Sequence, residues 1–259
     1  MTTSDNAIPL TGKLGKALPR HDRRTLQLSH YLTPKLPSPP TSLDWTSTIT
    51  QFGQMLNDNL GCCTIAACAH AIQIWSAVEG TEITVPDTTI LKYYSAWAGY
   101  VPGESWTDRG AVILDILNDW RKQGFGADPQ LMHKLIAYAQ VENSMLSIQQ
   151  AMTLFGGVYL GVALPITAQN QVVWDVVPNA GPDGAPYSWG GHAIYCPRYD
   201  PSGLWCVTWG GLKLMTWAFV SKYADEIFAL LSDDWVPNGH NLMGLTLADL
   251  LTDLQQVTG

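Results

Sequence analysis

The sequence predicts an α+β fold in which helices come first and strands follow. Three observations carry that expectation. Alanines and aliphatics recur at helical spacing through "TIAACAHAIQIWSAV" (64–78), with no Gly or Pro inside. A second helical run, "DRGAVILDILNDWRKQGFG" (108–126), reads as opened by Asp108 as a cap and closed by Gly124. Beyond residue 157 the texture changes to short β-rich runs, "VYLGVALPI", "GGHAIYCPRY" and "LWCVTWGG", separated by Gly/Pro/Asp turns.

In chain order, residues 1–43 are rich in Pro, Ser, Thr and Lys/Arg and end in "PKLPSPPTS", a composition that favours extended or polyproline backbone. They read as an N-terminal arm. Residues 44–150 form the helical lobe, and a third helix, "SIQQAMTLFGG", straddles its end and stops at a glycine pair. Residues 151–235 form the β-rich lobe. Within it "YDPSG" is the plainest hairpin connection, and "EIFALLS" is the last strand candidate. Residues 236–259 are a tail carrying the helix "LADLLTDLQQV". The 259 residues are enough for a full core, as one large domain or two lobes sharing a cleft.

Composition narrows the function classes. The net charge is −8, yet the first 40 residues carry six basic side chains (Lys13, Lys16, Arg20, Arg23, Arg24, Lys35) against Asp5 and Asp22. A basic arm beside an acidic body points to docking on that body, and no basic groove suggests nucleic acid. The longest mostly apolar run is too short to span a bilayer, so no membrane partner is expected, and the absence of a secretory leader pattern points to a cytoplasmic protein. Five cysteines, three of them at 62, 63 and 68, fit reduced thiols better than a disulfide framework. No metal or other cofactor is expected: there is no C-x-x-C pair, and "GFG" and "FGG" sit at helix ends rather than in a phosphate loop. The eleven tryptophans suit aromatic packing or an aromatic-lined groove, with "WAGYVPGESW" and "WDVVPNAGPDGAPYSW" as candidate walls.

The stretch "NDNLGCCTIAACAH" (57–70) places Cys63 where a loop becomes a helix. Unpaired N–H groups and the helix dipole there favour a thiolate, and Gly61 lets the chain turn tightly just before it. The alternative is three small core cysteines on a buried helix. A nucleophilic thiol needs a base. His70 lies about 10 Å along the same helix and is excluded. His21 and His30 are in the arm, His240 is near the tail, and His133 has no supporting signal. His192, in "WGGHAIYC", begins an apolar strand after the pair Gly190 and Gly191, which allow close approach of backbone or substrate.

"LDWTSTITQFGQMLNDNLGCCTIAACAHA" resembles the start of the papain-like cysteine peptidases, and "GGHAIYCPRYDPSGLWCVTWGG" resembles their histidine strand, hairpin and Trp-Gly. The resemblance covers residues 43–235 in outline. It implies a papain-like two-lobe fold, with Cys at the start of the central helix and His on an antiparallel β lobe. It also implies Cys63 as nucleophile, His192 as general base and acid, and Asn57 as an oxyanion donor in place of the family's glutamine. Counted from His192, the family's orienting asparagine falls at Thr208, which offers a hydroxyl, with Trp209 as its shield; counted back from Trp209 it falls at Val207. Gly61, Gly190, Gly191 and Trp209 are the implied substrate contacts. The family's "CGSCW" is absent, replaced by "GCCT".

The resulting expectation is a cysteine-nucleophile peptidase or amidase working through a thioester on a peptide or protein substrate. An inactive peptide-binding protein and an acyltransferase are the alternatives. Oligomeric state is left open. The arm is short for the propeptide that family members often carry, and is expected to pack along the body, so that its deletion lowers stability without raising turnover.

Overall fold

The computed structural model describes residues 12–128, 132–235 and 245–258; His240 and the first eleven residues lie outside them. Its centre is an antiparallel sheet of seven strands: β1 (Leu43–Asp44), β2 (Leu135–Gln140), β3 (Val158–Leu164), β4 (Gly190–Asp200), β5 (Gly203–Thr208), β6 (Gly211–Thr216) and β7 (Ala224–Ser232). The spatial order is β2-β7-β3-β4-β5-β6, with β1 paired to β4.

Both faces of the sheet are covered, which explains why β3 is buried at every position instead of alternating. Tyr159, Tyr195, Val207 and Phe228 face one core, shared with α1 (Cys63–Val78), α2 (Asp87–Ala98) and α3 (Ile113–Gln123). Their neighbours Leu160, Ile194, Cys206 and Ile227 face the other, shared with α4 (Met145–Phe155), α5 (Trp217–Tyr223), α6 (Leu247–Thr258) and the arm residues Leu26, Leu28 and Tyr31. Successive strand residues point to opposite faces, so one strand serves two cores.

Helix α1 is buried nearly all round, fourteen of its sixteen residues being inaccessible. Its alanines let it lie against β4 and β3, and two bonds tie it to its surroundings: the Tyr159 hydroxyl donates to the Thr64 carbonyl at 2.7 Å, and the Trp75 indole donates to the Phe155 carbonyl at 3.1 Å. Five tryptophans (Trp75, Trp120, Trp174, Trp209 and Trp235) are buried rings whose N–H reaches a backbone carbonyl, as Trp235 does at Leu154 (2.7 Å).

The second helix departs from the sequence reading. Asp108 does not cap it: α3 starts at Ile113 after a Val112 that makes no side-chain cap. Asp108 turns instead towards the loop before α1. The C-terminal stop at Gly124 is present, with φ 76°. Helix α2, strands β2 and β6 and helix α5 were not legible in the sequence pattern. Strand β2 lies inside the 44–150 segment yet pairs with β7.

Candidate active site

Cys63 is the first residue of α1 and is completely buried. Its Sγ accepts the N–H of Ala193, the residue after His192, at 3.4 Å. The loop before α1 presents Asn57 through a turn in which Met55 and Leu56 both have positive φ (51° and 61°), closed by the Asn57 N–H on the Gln54 carbonyl. Two consecutive non-glycine residues in that region are costly, which marks a loop held for what it displays. Asp108 braces the next turn, accepting the Gly61 N–H at 2.9 Å and the Tyr94 hydroxyl at 2.6 Å.

On the facing wall, β4 carries His192. Its Nε2 lies 2.7 Å from the Thr208 Oγ1, while Nδ1 is buried with no protein partner. With Nε2–H donating to the hydroxyl, Nδ1 keeps its lone pair for a proton. Thr208 ends β5, and the two-residue turn Trp209–Gly210, both with positive φ (45° and 80°), reverses the chain into β6. That turn lays the Trp209 indole over His192, centroids 4.6 Å apart and planes 23° from parallel. Trp174 and Trp189 back the indole.

Between the walls runs the arm. The Lys13 carbonyl accepts from Asn57 Nδ2 at 3.0 Å and from Trp209 Nε1 at 3.3 Å. Gly15 and Lys16 donate backbone N–H to the Gly191 carbonyl (3.3 and 3.1 Å), and Gly15 and Ala17 bond to both backbone groups of Ala111. The fit is close: a Cβ on Gly12 would stand 1.9 Å from the Trp209 ring, and one on Gly15 would stand 1.8 Å from the Gly61 carbonyl oxygen. The four sequence-predicted contact residues, Gly61, Gly190, Gly191 and Trp209, all line this segment. Residues 12–17 therefore occupy the cleft, a course that packing along the body alone did not anticipate.

Burial also revises the expected thiolate. The Cys63 thiol is pushed up to about 11 by desolvation, which outweighs the N–H groups of Ala193, Gly15 and Thr64 and the charge of Lys16. His192 is held down to about 3 by the same burial. Burial thus favours the neutral form of both thiol and imidazole. The other cysteines, Cys62, Cys68, Cys196 and Cys206, are buried free thiols whose titration is raised by desolvation. His70 is buried in α1 against Phe52, away from this constellation. His133 is tied to Asp234 at 2.9 Å.

Sequence reasoning missed the brace at Asp108, the backbone contact at Ala111, and the group Tyr187, Asp225 and Glu226 around Lys16. Only the adjacent acids opening "DEIFALLS" hinted at the last. Among the described residues no cluster of His, Cys, Asp and Glu is arranged to hold a metal ion, and no helix is long and apolar enough to cross a membrane.

Neither a family model nor a curated protein sequence matches the chain. Solved structures do. Xylellain, a cysteine protease from Xylella fastidiosa, is 18% identical, with 86% of this chain and 97% of that one covered at a TM-score of 0.64. Digestive procathepsin L 3 of Tenebrio molitor larval midgut is 14% identical over 84% and 75% of the two chains, at 0.55. The Carica candamarcensis cysteine protease CMS1MS2, solved in complex with E-64, is 16% identical over 74% and 98%, at 0.51. With Cys63 opening the central helix and His192 on the facing sheet, this chain has the papain-like fold.

Proposed function

We propose that the chain is a cysteine peptidase or amidase, held latent by its own N-terminal arm. The observation that supports this best is the Lys13 carbonyl, which sits on the Asn57 amide in the cleft between the Cys63 helix and the His192 strand. A carbonyl bound there is where a scissile carbonyl would lie. In the reaction His192 Nδ1 takes the Cys63 proton, and the thiolate attacks the carbonyl carbon. Asn57 Nδ2 and the Cys63 N–H hold the oxyanion. The imidazolium then gives its proton to the leaving amine as the C–N bond breaks. Water attacks the thioester, releasing the acid and restoring the thiol. Thr208 fixes the tautomer, and Trp209 shields that bond from water.

The arm's course favours latency over a purely structural role. Reaction requires solvent and substrate to replace residues 12–17. The test is Gly15→Val in the full-length chain, since any Cβ there collides with the Gly61 carbonyl. Iodoacetamide labelling followed by peptide mapping should show Cys63 modified far faster than in wild type, with the gain lost on His192→Ala. Amide hydrolysis should appear in parallel. Labelling without hydrolysis would point to a peptide-binding protein, and product capture by an added amine to acyl transfer. No gain in labelling would remove the latent reading.

A further inference from the structure

Lys16 is the most deeply buried charge of the arm: its side chain is fully inaccessible. The Nζ lies 2.8 Å from Asp225, 3.2 Å from Glu226 and 3.2 Å from the Tyr187 hydroxyl, and 5.4 Å above the Tyr187 ring. This cavity is built into the body. The β3–β7 register breaks at Asp225, opposite Gly161 and Val162, so two consecutive acids reach the same ammonium. Gly161 supplies the room: a Cβ there would stand 2.3 Å from Lys16 Cε and 2.7 Å from the Asp225 carboxylate. Tyr187 sits in a left-handed conformation (φ 65°) and donates to Asp225. Glu226 is 5% exposed, and neither its Oε1 nor Asp225 Oδ1 has a partner of hydrogen-bond geometry, although Oε1 lies within ion-pair distance of the lysine.

We propose that Asp225, Glu226 and Tyr187 form a subsite that selects a lysine or similarly long cationic side chain at one position of the peptide bound in the cleft. The inference rests on the reading of the cleft as a peptide site. When the arm leaves, two neighbouring carboxylates lose their cation, and a guest that refills the pocket shuts them from water again as Lys16 does, with the Glu226 and Asp225 side chains 5% and 18% exposed. A neutral guest leaves that repulsion and desolvation uncompensated, whereas an ammonium restores what Lys16 supplied. The backbone registers the guest through the Gly191 carbonyl and Ala111, which bond the arm on either side of Lys16.

The test uses full-length Gly15→Val protein, with full-length Lys16→Ala as a second opened form. The competitor is the nonapeptide GKLGKALPR, residues 12–20, compared with the same peptide carrying norleucine in place of its second lysine. Calorimetric binding is measured first, because it needs no reactive thiol. The lysine peptide is expected to bind at least about tenfold more tightly, the scale of a buried charge losing its partner. The difference should collapse on Glu226→Gln and further on Asp225→Asn/Glu226→Gln. Equal binding of the two peptides by both opened forms overturns the subsite. Cys63 labelling in the same samples reports separately on the hydrolase reading. Where turnover is present, a fluorogenic peptide library should show lysine favoured over norleucine at one position only, and a library indifferent to charge counts against the subsite.

Discussion

The two walls of the cleft are held in opposite ways. The wall carrying Cys63 is a loop and a helix start, fixed by directed hydrogen bonds: Asp108 on Gly61 and Tyr94, the Asn57 amide on the Leu60 carbonyl at 2.9 Å, and the turn at Met55–Leu56. The wall carrying His192 is a sheet surface, fixed by register and by rings, with Trp209 stacked on the imidazole and Trp174 and Trp189 behind it. The first wall positions N–H donors, which need angular precision. The second sets the His192 imidazole among rings, which keeps solvent away. The arm touches both, bonding to them through Asn57, Gly191 and Ala111.

That contrast can be broken from the chemistry outward. In the opened Gly15→Val form, Cys63→Ala or His192→Ala should abolish amide hydrolysis, a loss of roughly 10⁴-fold or more, because nucleophile and base act as one unit. Steady-state turnover with matched circular dichroism checks that the fold persists. Asn57→Ala removes one oxyanion donor and should lower kcat by roughly 10²-fold with little change in KM. A loss confined to KM would instead make Asn57 a ground-state contact. On the other wall, Thr208→Val should cost roughly tenfold, the equivalent of one lost hydrogen bond, and should shift the acid limb of the rate profile. Thr208→Ser should restore both. A Val variant with an unchanged profile would show that the ring stack alone orients His192.

A separate effect is expected on stability. His192 and His70 have folded values lowered by burial to about 3 and about 4, against an ordinary 6.5. The unfolded chain therefore binds more protons below pH 6.5. Their contribution is fully present above that pH and is lost as pH falls towards 4. Thermal unfolding of the full-length chain should show Tm falling across that window. His70→Leu should flatten the fall without touching labelling of Cys63, whereas Gly15→Val should flatten it by rehydrating His192. A Tm independent of pH from 7 to 4.5 would contradict the burial of both rings.

Much of the site is visible in local sequence because its devices are local. A small-residue helix opening at Cys63, glycines at 190 and 191 ahead of His192, and the Trp209–Gly210 turn are short-range patterns with short-range causes. Their order along the chain points to the fold, and the structural likeness to xylellain at 18% identity bears out the fold class. The family resemblance puts its orienting residue at Thr208 when counted from His192 and at Val207 when counted back from Trp209, and it is the Thr208 hydroxyl that lies 2.7 Å from His192.

What composition and spacing determined, then, was the helix-then-strand order and the glycines that let backbone approach, while Cys63 and His192 were singled out as a pair by the family resemblance of their two motifs. Tertiary structure alone decided the rest. Whether Asp108 caps a helix or braces a loop depends on where Gly61 comes to lie, 47 residues away. Whether Cys63 is a thiolate or a thiol depends on the balance of burial, which favours the thiol, against the N–H groups of Ala193, Gly15 and Thr64 and the charge of Lys16, which favour the thiolate. The place of Lys16, against acids more than 200 residues further on, follows from a register break and a glycine in two different strands. Those are sums over distant segments, and no window of sequence contains them.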